Sequence, residues 1–206
     1  MNALLNQIVY MLPILLIALP VHEFAHAWTA TQLGDDTPRL AGRLTINPLA
    51  HLDIFGSILL LFAGFGWAKP VPVNPYALQR RTPAGLMMVA AAGPLSNVAL
   101  ALLVAIPFRL GLVSASASWL VPLLQSFILI NLVLFFFNLI PIFPLDGEKV
   151  LNYFLPPAGQ DFLAQIRPYG PILLAALILL STRSGVNLLD KVVYGPALGI
   201  SRLLIS

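Results

Sequence analysis

The sequence predicts an all-α polytopic membrane protein: a helical bundle of about five to six transmembrane segments, with a small β-strand or re-entrant region after the first helix. Two observations carry this expectation. Of the 206 residues, 59% are hydrophobic and only 9% are charged, whereas a soluble domain carries about a quarter charged residues. Mean hydropathy is +0.90, and the apolar residues gather in runs that approach the roughly 20 residues needed to cross a bilayer. The whole chain, 1–206, reads as a single integral-membrane domain, with a core over about residues 4–150 and C-terminal helices over about 168–206.

The first helix covers about residues 4–33. No Lys or Arg precedes its apolar run and no small-residue cleavage site follows, so it reads as part of a mature helix and not as a cleaved signal peptide. Pro20 removes an amide donor and crowds the preceding turn, which predicts a kink one turn before His22. Gly34-Asp35-Asp36, with Pro38 just beyond, stops the helix.

Residues 39–50, RLAGRLTINPLA, alternate in part and predict a short strand closed by a turn at Asn47-Pro48. Residues 54–66 are apolar but too short for a span, and they contain Gly56, Gly64 and Gly66. Such a segment enters and leaves on one side. In WAKPVPVNPYAL (67–78), prolines at 70, 72 and 75 forbid a helix and predict an extended, sheet-edge segment. Residues 84–108 and 120–140 each predict a helix, the first interrupted at Gly93-Pro94 and the second ending in PIFPLDGEKV. Residues 169–181 predict a further span, and the amphipathic 186–205 segment spans or lies in the interface.

The composition also excludes some chemistry. With no cysteine there is no disulfide, no cysteine nucleophile and no thiolate ligand. The net charge of +3 comes from scattered basic residues, so no nucleic-acid partner is expected.

Ionisable groups inside an apolar helix are costly and usually carry function. In VHEFAHAW (21–28), His22 and His26 are four apart and share one helix face, where two imidazoles can bind one metal ion. Glu23 lies beside them, placed to take a proton from water, which is the mechanical content of H-E-x-x-H. A catalytic zinc wants a third protein ligand. His51, Asp53 and Asp146 are the candidates, and Asp146 is the best placed, since it follows an uncharged run in a proline-bounded turn. Asp53 also suits a cap for the segment that begins at Ile54.

HEFAH (22–26), NPLAHLD (47–53), GPLSN (93–97) and NLIPIFPLDG (138–147) occur in one order along the chain. Together they resemble the site-2 protease family of intramembrane zinc metalloproteases, in its compact bacterial form without a PDZ domain. The resemblance implies one Zn2+ per chain, with His22, His26 and Asp146 as ligands and Glu23 as general base. It implies that Asn97 contacts the substrate or its developing oxyanion. His51, Asn47 and Asn138 are candidates for supporting the ligands or touching the substrate. Glu148-Lys149 departs from the glycine that is commoner after LDG and puts a charged pair near the site mouth. The expected partners are the lipid bilayer and a membrane-anchored protein substrate, cut in or near its transmembrane segment. The expected location is the bacterial cytoplasmic membrane.

Topology adds a constraint. The ligands meet only if two crossings, 84–108 and 120–140, separate His26 from Asp146. One side then collects Arg39, Arg43, Lys69, Arg80, Arg81, Lys149 and Arg167, against Arg109, Arg183 and Lys191 on the other. The positive-inside rule makes the first side cytoplasmic, with the zinc site towards it and residue 115 outside. A metal or proton transporter using the same residues is the rival reading, but the sequence shows no repeated half of the kind many transporters carry.

Overall fold

The computed structural model describes residues 3–63, 66–113, 119–183 and 187–206, of which 3–7, 63, 182 and 183 are described by backbone alone. Residues 64 and 65 of the 54–66 segment, residue 115 and the Arg183 side chain lie outside the description.

The first helix is one rod in three parts: α1 (Ala3–Pro13), a π turn (Ile14–Ala18) and α2 (Leu19–Gln32). The irregularity expected at Pro20 takes the form of that π turn. Leu19 N–H reaches back to the Ile14 carbonyl, so the wider turn absorbs the mismatch just before the proline. The helix ends where the sequence predicts. Gly34 adopts φ +88°, and Asp35 N–H bonds to the Ala30 carbonyl at 3.0 Å, a glycine-type C-terminus.

The strand expected over 39–50 does not form. Two short helices, α3 (Thr37–Leu40) and α4 (Pro48–His51), stand in that region. The turn chemistry prevails over the alternation: the Asn47 side chain accepts from Leu49 N–H at 3.1 Å and Pro48 opens the helix. Among the described residues there is no strand, only an isolated antiparallel bridge between Leu52 and Ala68.

That bridge closes a hairpin around α5 (Ile54–Ala63). Asp53 caps α5, its Oδ1 accepting from Gly56 N–H at 2.9 Å. The returning chain lies so close that a Cβ on Gly56 would meet the Trp67 backbone, and one on Gly66 would meet Leu60 Cβ at 2.7 Å. The segment therefore comes back to its own start. Residues 69–74 then lead, outside any helix, to α6 (Pro75–Arg81), so the extended segment expected over 67–78 gives way to helix at Pro75, which takes the first helical position where its missing N–H costs nothing. Buried Asp35 holds their end, accepting from Asn74 N–H at 2.6 Å.

α7 (Gly85–Arg109) and α8 (Leu120–Asn138) follow, then α9 (Asp146–Phe154), α10 (Pro157–Ile166), α11 (Gly170–Arg183) and α12 (Gly195–Ile205). α7, α8 and α12 pack through buried Ala101, Ala105, Ile128, Leu132 and Ala197. Alanines at these contacts let helix axes approach closely without a hydrophobic drive from water. Arg109 donates to the carbonyls of Ser206, at 2.8 Å, and Leu203, so α7 and α12 end side by side.

Among the described residues, four helices are long and apolar enough to cross a membrane: Ile8–Gln32, Gly85–Arg109, Leu120–Asn138 and Pro157–Ser181. The sequence expectation was five to six. The shortfall lies at the C-terminus, where the helix that runs through the π turn, Asp190–Tyr194, into α12 carries Asp190, Lys191 and Arg202 and is less apolar than a span. With this many apolar helices the chain is an integral membrane protein.

Candidate metal centre

α2, α7 and the start of α9 bring three ligand atoms together. His22 and His26, 5% and 8% exposed, lie one turn apart on α2. Their rings stand at 83° with centroids 4.7 Å apart, and their Nε2 atoms are 3.1 Å apart. Asp146 Oδ2 lies 3.3 Å from His22 Nε2 and 3.2 Å from His26 Nε2. Metal–ligand bonds of about 2.0–2.1 Å in tetrahedral array require ligand atoms about 3.3 Å apart. The triangle matches that size.

The protonation pattern fits as well. His26 Nδ1 donates to the Val89 carbonyl at 2.7 Å, which leaves its Nε2 lone pair facing the triangle. His22 Nδ1 lies 2.6 Å from Asn97 Oδ1, which gives the same tautomer. Two lone pairs and a carboxylate oxygen converging at these distances repel one another unless a cation sits among them. The three residues form the metal-capable cluster found among the described residues.

α7 supplies the space. A Cβ added to Gly93 would lie 2.6 Å from His22 Nε2 and closer still to that of His26. Any side chain there would fill the room beside the triangle. The sequence marks Gly93 as a helix interruption and as the first residue of GPLSN, whereas α7 runs through it unbroken. The signal of its larger role is a glycine kept inside a helix, which often reports a close approach.

Asp146 arrives through the turn that follows α8. Ile142 N–H bonds to the Ile140 carbonyl at 2.8 Å and Leu145 N–H to the Ile142 carbonyl at 2.9 Å. Burial pushes the Asp146 carboxyl up, and the imidazoles against it reverse that and hold it well below the usual carboxylate range. That lowering belongs to charged imidazoles; with both rings neutral, a bound cation would take their place in favouring the ionised carboxylate. Lys149 Nζ sits 3.5 Å from the other oxygen, Oδ1.

Glu148 turns elsewhere. It is 3% exposed, and both its carboxylate oxygens accept from the Arg167 guanidinium at 2.9 Å. Arg167 also stands 5.6 Å from the centre of the Phe143 ring. The charged pair that the sequence places at the site mouth is thus divided: Lys149 faces the ligand, and Glu148 ties α9 to the turn between α10 and α11.

The other predicted site residues are placed as follows. Glu23 follows His22 on α2 and is half-buried. Asn97 is fully buried, and both ends of its amide are engaged, Oδ1 by His22 and Nδ2 by Asn131 Oδ1 at 2.9 Å. His51 is fully buried on α4, where its Nε2 donates to the Thr45 carbonyl at 2.7 Å, and it is not part of the ligand cluster. Asn47 is exposed and caps α4. Asn138 donates to the Leu134 carbonyl one turn back, at 3.0 Å. The sequence does not mark Asn131 as a site residue. Its signal was a polar amide inside the uncharged run SFILINLVLFFF.

The sequence model of peptidase family M50 matches residues 107–180, which include Asp146 and its turn. A protein of Bacillus subtilis (strain 168) named "Putative zinc metalloprotease YwhC" is 39% identical over 181 residues, covering 85% of this chain and 82% of that one. "Putative zinc metalloprotease Rip2" of Mycobacterium tuberculosis (strain ATCC 25618 / H37Rv) is 32% identical over 177 residues, covering 82% of this chain and 66% of that protein. Its counterpart in Mycolicibacterium smegmatis is 30% identical, and the match covers 64% of its length. No solved structure matches.

Proposed function

The chain belongs to peptidase family M50, the site-2 protease family, and from that premise we propose that it is an intramembrane zinc endopeptidase that hydrolyses peptide bonds in or near the transmembrane segments of membrane-anchored proteins. The observation that carries this reading is the triangle of His22 Nε2, His26 Nε2 and Asp146 Oδ2, with edges of 3.1–3.3 Å, one residue from Glu23 on an apolar helix. His22, His26 and Asp146 hold one Zn2+ per chain. Zinc held there supplies Lewis-acid chemistry, polarising a carbonyl and making water more acidic.

The residues of the chain do the rest. Glu23 accepts the proton of the attacking water and passes it to the departing amine. Gly93 keeps the approach beside the ligands open. The resemblance gives Asn97 an oxyanion contact, but the engagement of its amide by His22 and Asn131 supports a role in orienting His22 instead. His51 and Asn47 support the fold of the 45–52 region, and Asn138 the end of α8.

A transmembrane helix hides its carbonyls in its own hydrogen bonds, so a substrate must unwind locally before it is cut. The non-helical, proline-bearing residues 69–74 offer an edge on which the unwound segment pairs by β-addition. The hairpin around α5 dips into the bilayer without crossing, α7 and α8 both cross, and the metal centre faces the cytoplasmic half of a bacterial cytoplasmic membrane, on the side richer in Lys and Arg.

The test uses purified protein in detergent with a panel of synthetic single-span peptides and mass-spectrometric detection of products. Wild type cleaves members of the panel. Glu23→Gln loses about 10²–10⁴ in rate and keeps its zinc. Unchanged cleavage by Glu23→Gln would remove Glu23 from the mechanism. Folded, zinc-loaded wild type that cuts no peptide, in detergent or in vesicles, would count against the endopeptidase reading.

A further inference from the structure

A chain of hydrogen bonds runs from α8 through α7 to the ligand His22. Asn131, fully buried, donates from Nδ2 to the Phe127 carbonyl one turn back on α8, at 2.9 Å. A carbonyl can only accept, so this first bond fixes which end of the Asn131 amide is nitrogen. Its Oδ1 then faces Asn97 and can only accept, so Asn97 presents Nδ2, at 2.9 Å. The Asn97 oxygen is therefore the end that meets His22 Nδ1, at 2.6 Å. That ring nitrogen must carry the proton, and in the neutral ring, the form a metal binds, Nε2 carries the lone pair. Every amide orientation in the series follows from one backbone carbonyl.

We propose that Asn131 is a positioning residue for the metal centre: acting through Asn97, it sets the tautomer and ring direction of His22, so that the Nε2 lone pair points at the metal. The inference rests on the reading that His22 is a zinc ligand. His26 needs no such relay, because the Val89 carbonyl meets its Nδ1 directly. α7 offers His22 only an amide, which by itself presents either end. Asn131 removes that freedom. Polar pairs between membrane helices also serve simply as clasps. A clasp would lower stability and leave the zinc affinity of the folded protein unchanged.

Three substitutions separate the roles. Asn131→Leu removes both bonds at similar volume. Asn131→Ser keeps a hydroxyl for the Phe127 carbonyl, a bond serine makes readily one turn back on a helix, but it is too short to reach Asn97. Asn131→Asp, neutral when buried in the bilayer, offers O–H to Phe127 and C=O to Asn97 and so restores the series. Zinc affinity is read by competition with a chromophoric chelator, on detergent-purified protein whose zinc-free folding is first matched to wild type by thermal unfolding. The expected result is a loss of about tenfold or more for Leu and Ser, in the range seen when partners of metal ligands are removed, and wild-type affinity within about threefold for Asp. If Leu does not fold, Ser and Asp suffice. Wild-type affinity in Asn131→Ser, or an equal loss in Ser and Asp, would overturn the inference and leave the zinc reading standing. Folded wild type that binds no zinc would overturn both.

Discussion

At position 93 one methyl group decides between a metal cradle and a filled helix contact. The Cβ of an alanine would fall against both imidazole Nε2 atoms, closer than unbonded heavy atoms approach, so either the rings or α7 must shift. Gly93→Ala should therefore lose zinc almost completely while helical content, read by circular dichroism, is unchanged. Retained zinc in that variant would mean that the ion is held away from α7. At this scale the sequence was most informative where a motif demands a spacing. His22 and His26 at four apart, and Asp146 after a proline-bounded turn, do converge. It was least informative where a role depends on what lies opposite. His51 is fully buried yet serves the Thr45 carbonyl, and Asn97 turns its amide to His22 and Asn131. Chain position alone does not reveal which neighbour a polar side chain meets.

The turn and helix that deliver Asp146 depend on a pairing that sequence reasoning registered only as a departure. Glu148 is buried beneath Arg167, its two oxygens at 2.9 Å from the guanidinium. Arg167→Ala would leave a buried carboxylate without its partner, at a cost of about 1–3 kcal/mol. The expected outcome is a lower midpoint of thermal unfolding in detergent, with a smaller loss in the double variant Glu148→Gln/Arg167→Ala. Equal losses would show that the pair is not coupled. Elements between α2 and α7 were the least legible from sequence. Residues 39–50 have partial alternation, but no neighbouring strand exists for them to join, and Asn47-Pro48 starts a helix instead. The lack of helix over 69–74 was legible from Pro70 and Pro72, but Pro75, read from sequence as a third barrier, opens α6 at its first position, where a proline is tolerated. If residues 69–74 receive substrate, replacing residues 71–74 with a helix-forming sequence should abolish peptide cleavage and leave zinc content intact. Undiminished cleavage would remove the edge from the mechanism.

For the whole molecule, the membrane character followed from composition, since a soluble domain carries about a quarter charged residues, and the helical class from the length of the apolar runs. The number of spans was harder to read at the C-terminus, where an amphipathic helix carrying Asp190, Lys191 and Arg202 suits either a crossing or the interface. The two-crossing arrangement of α7 and α8 makes a specific expectation: reporter fusions after residue 36 and after residue 155 give the cytoplasmic signal, and one after residue 112 gives the external signal. A cytoplasmic signal at 112 would contradict it. The ligand set of the metal centre is tested most directly by zinc per folded chain, measured by mass spectrometry of metals for wild type, His22→Ala, Asp146→Ala and His51→Ala. About one zinc is expected in wild type and in His51→Ala, as a catalytic site with three protein ligands would hold, and almost none in the other two. Zinc retained in folded Asp146→Ala and lost in His51→Ala would contradict that ligand set.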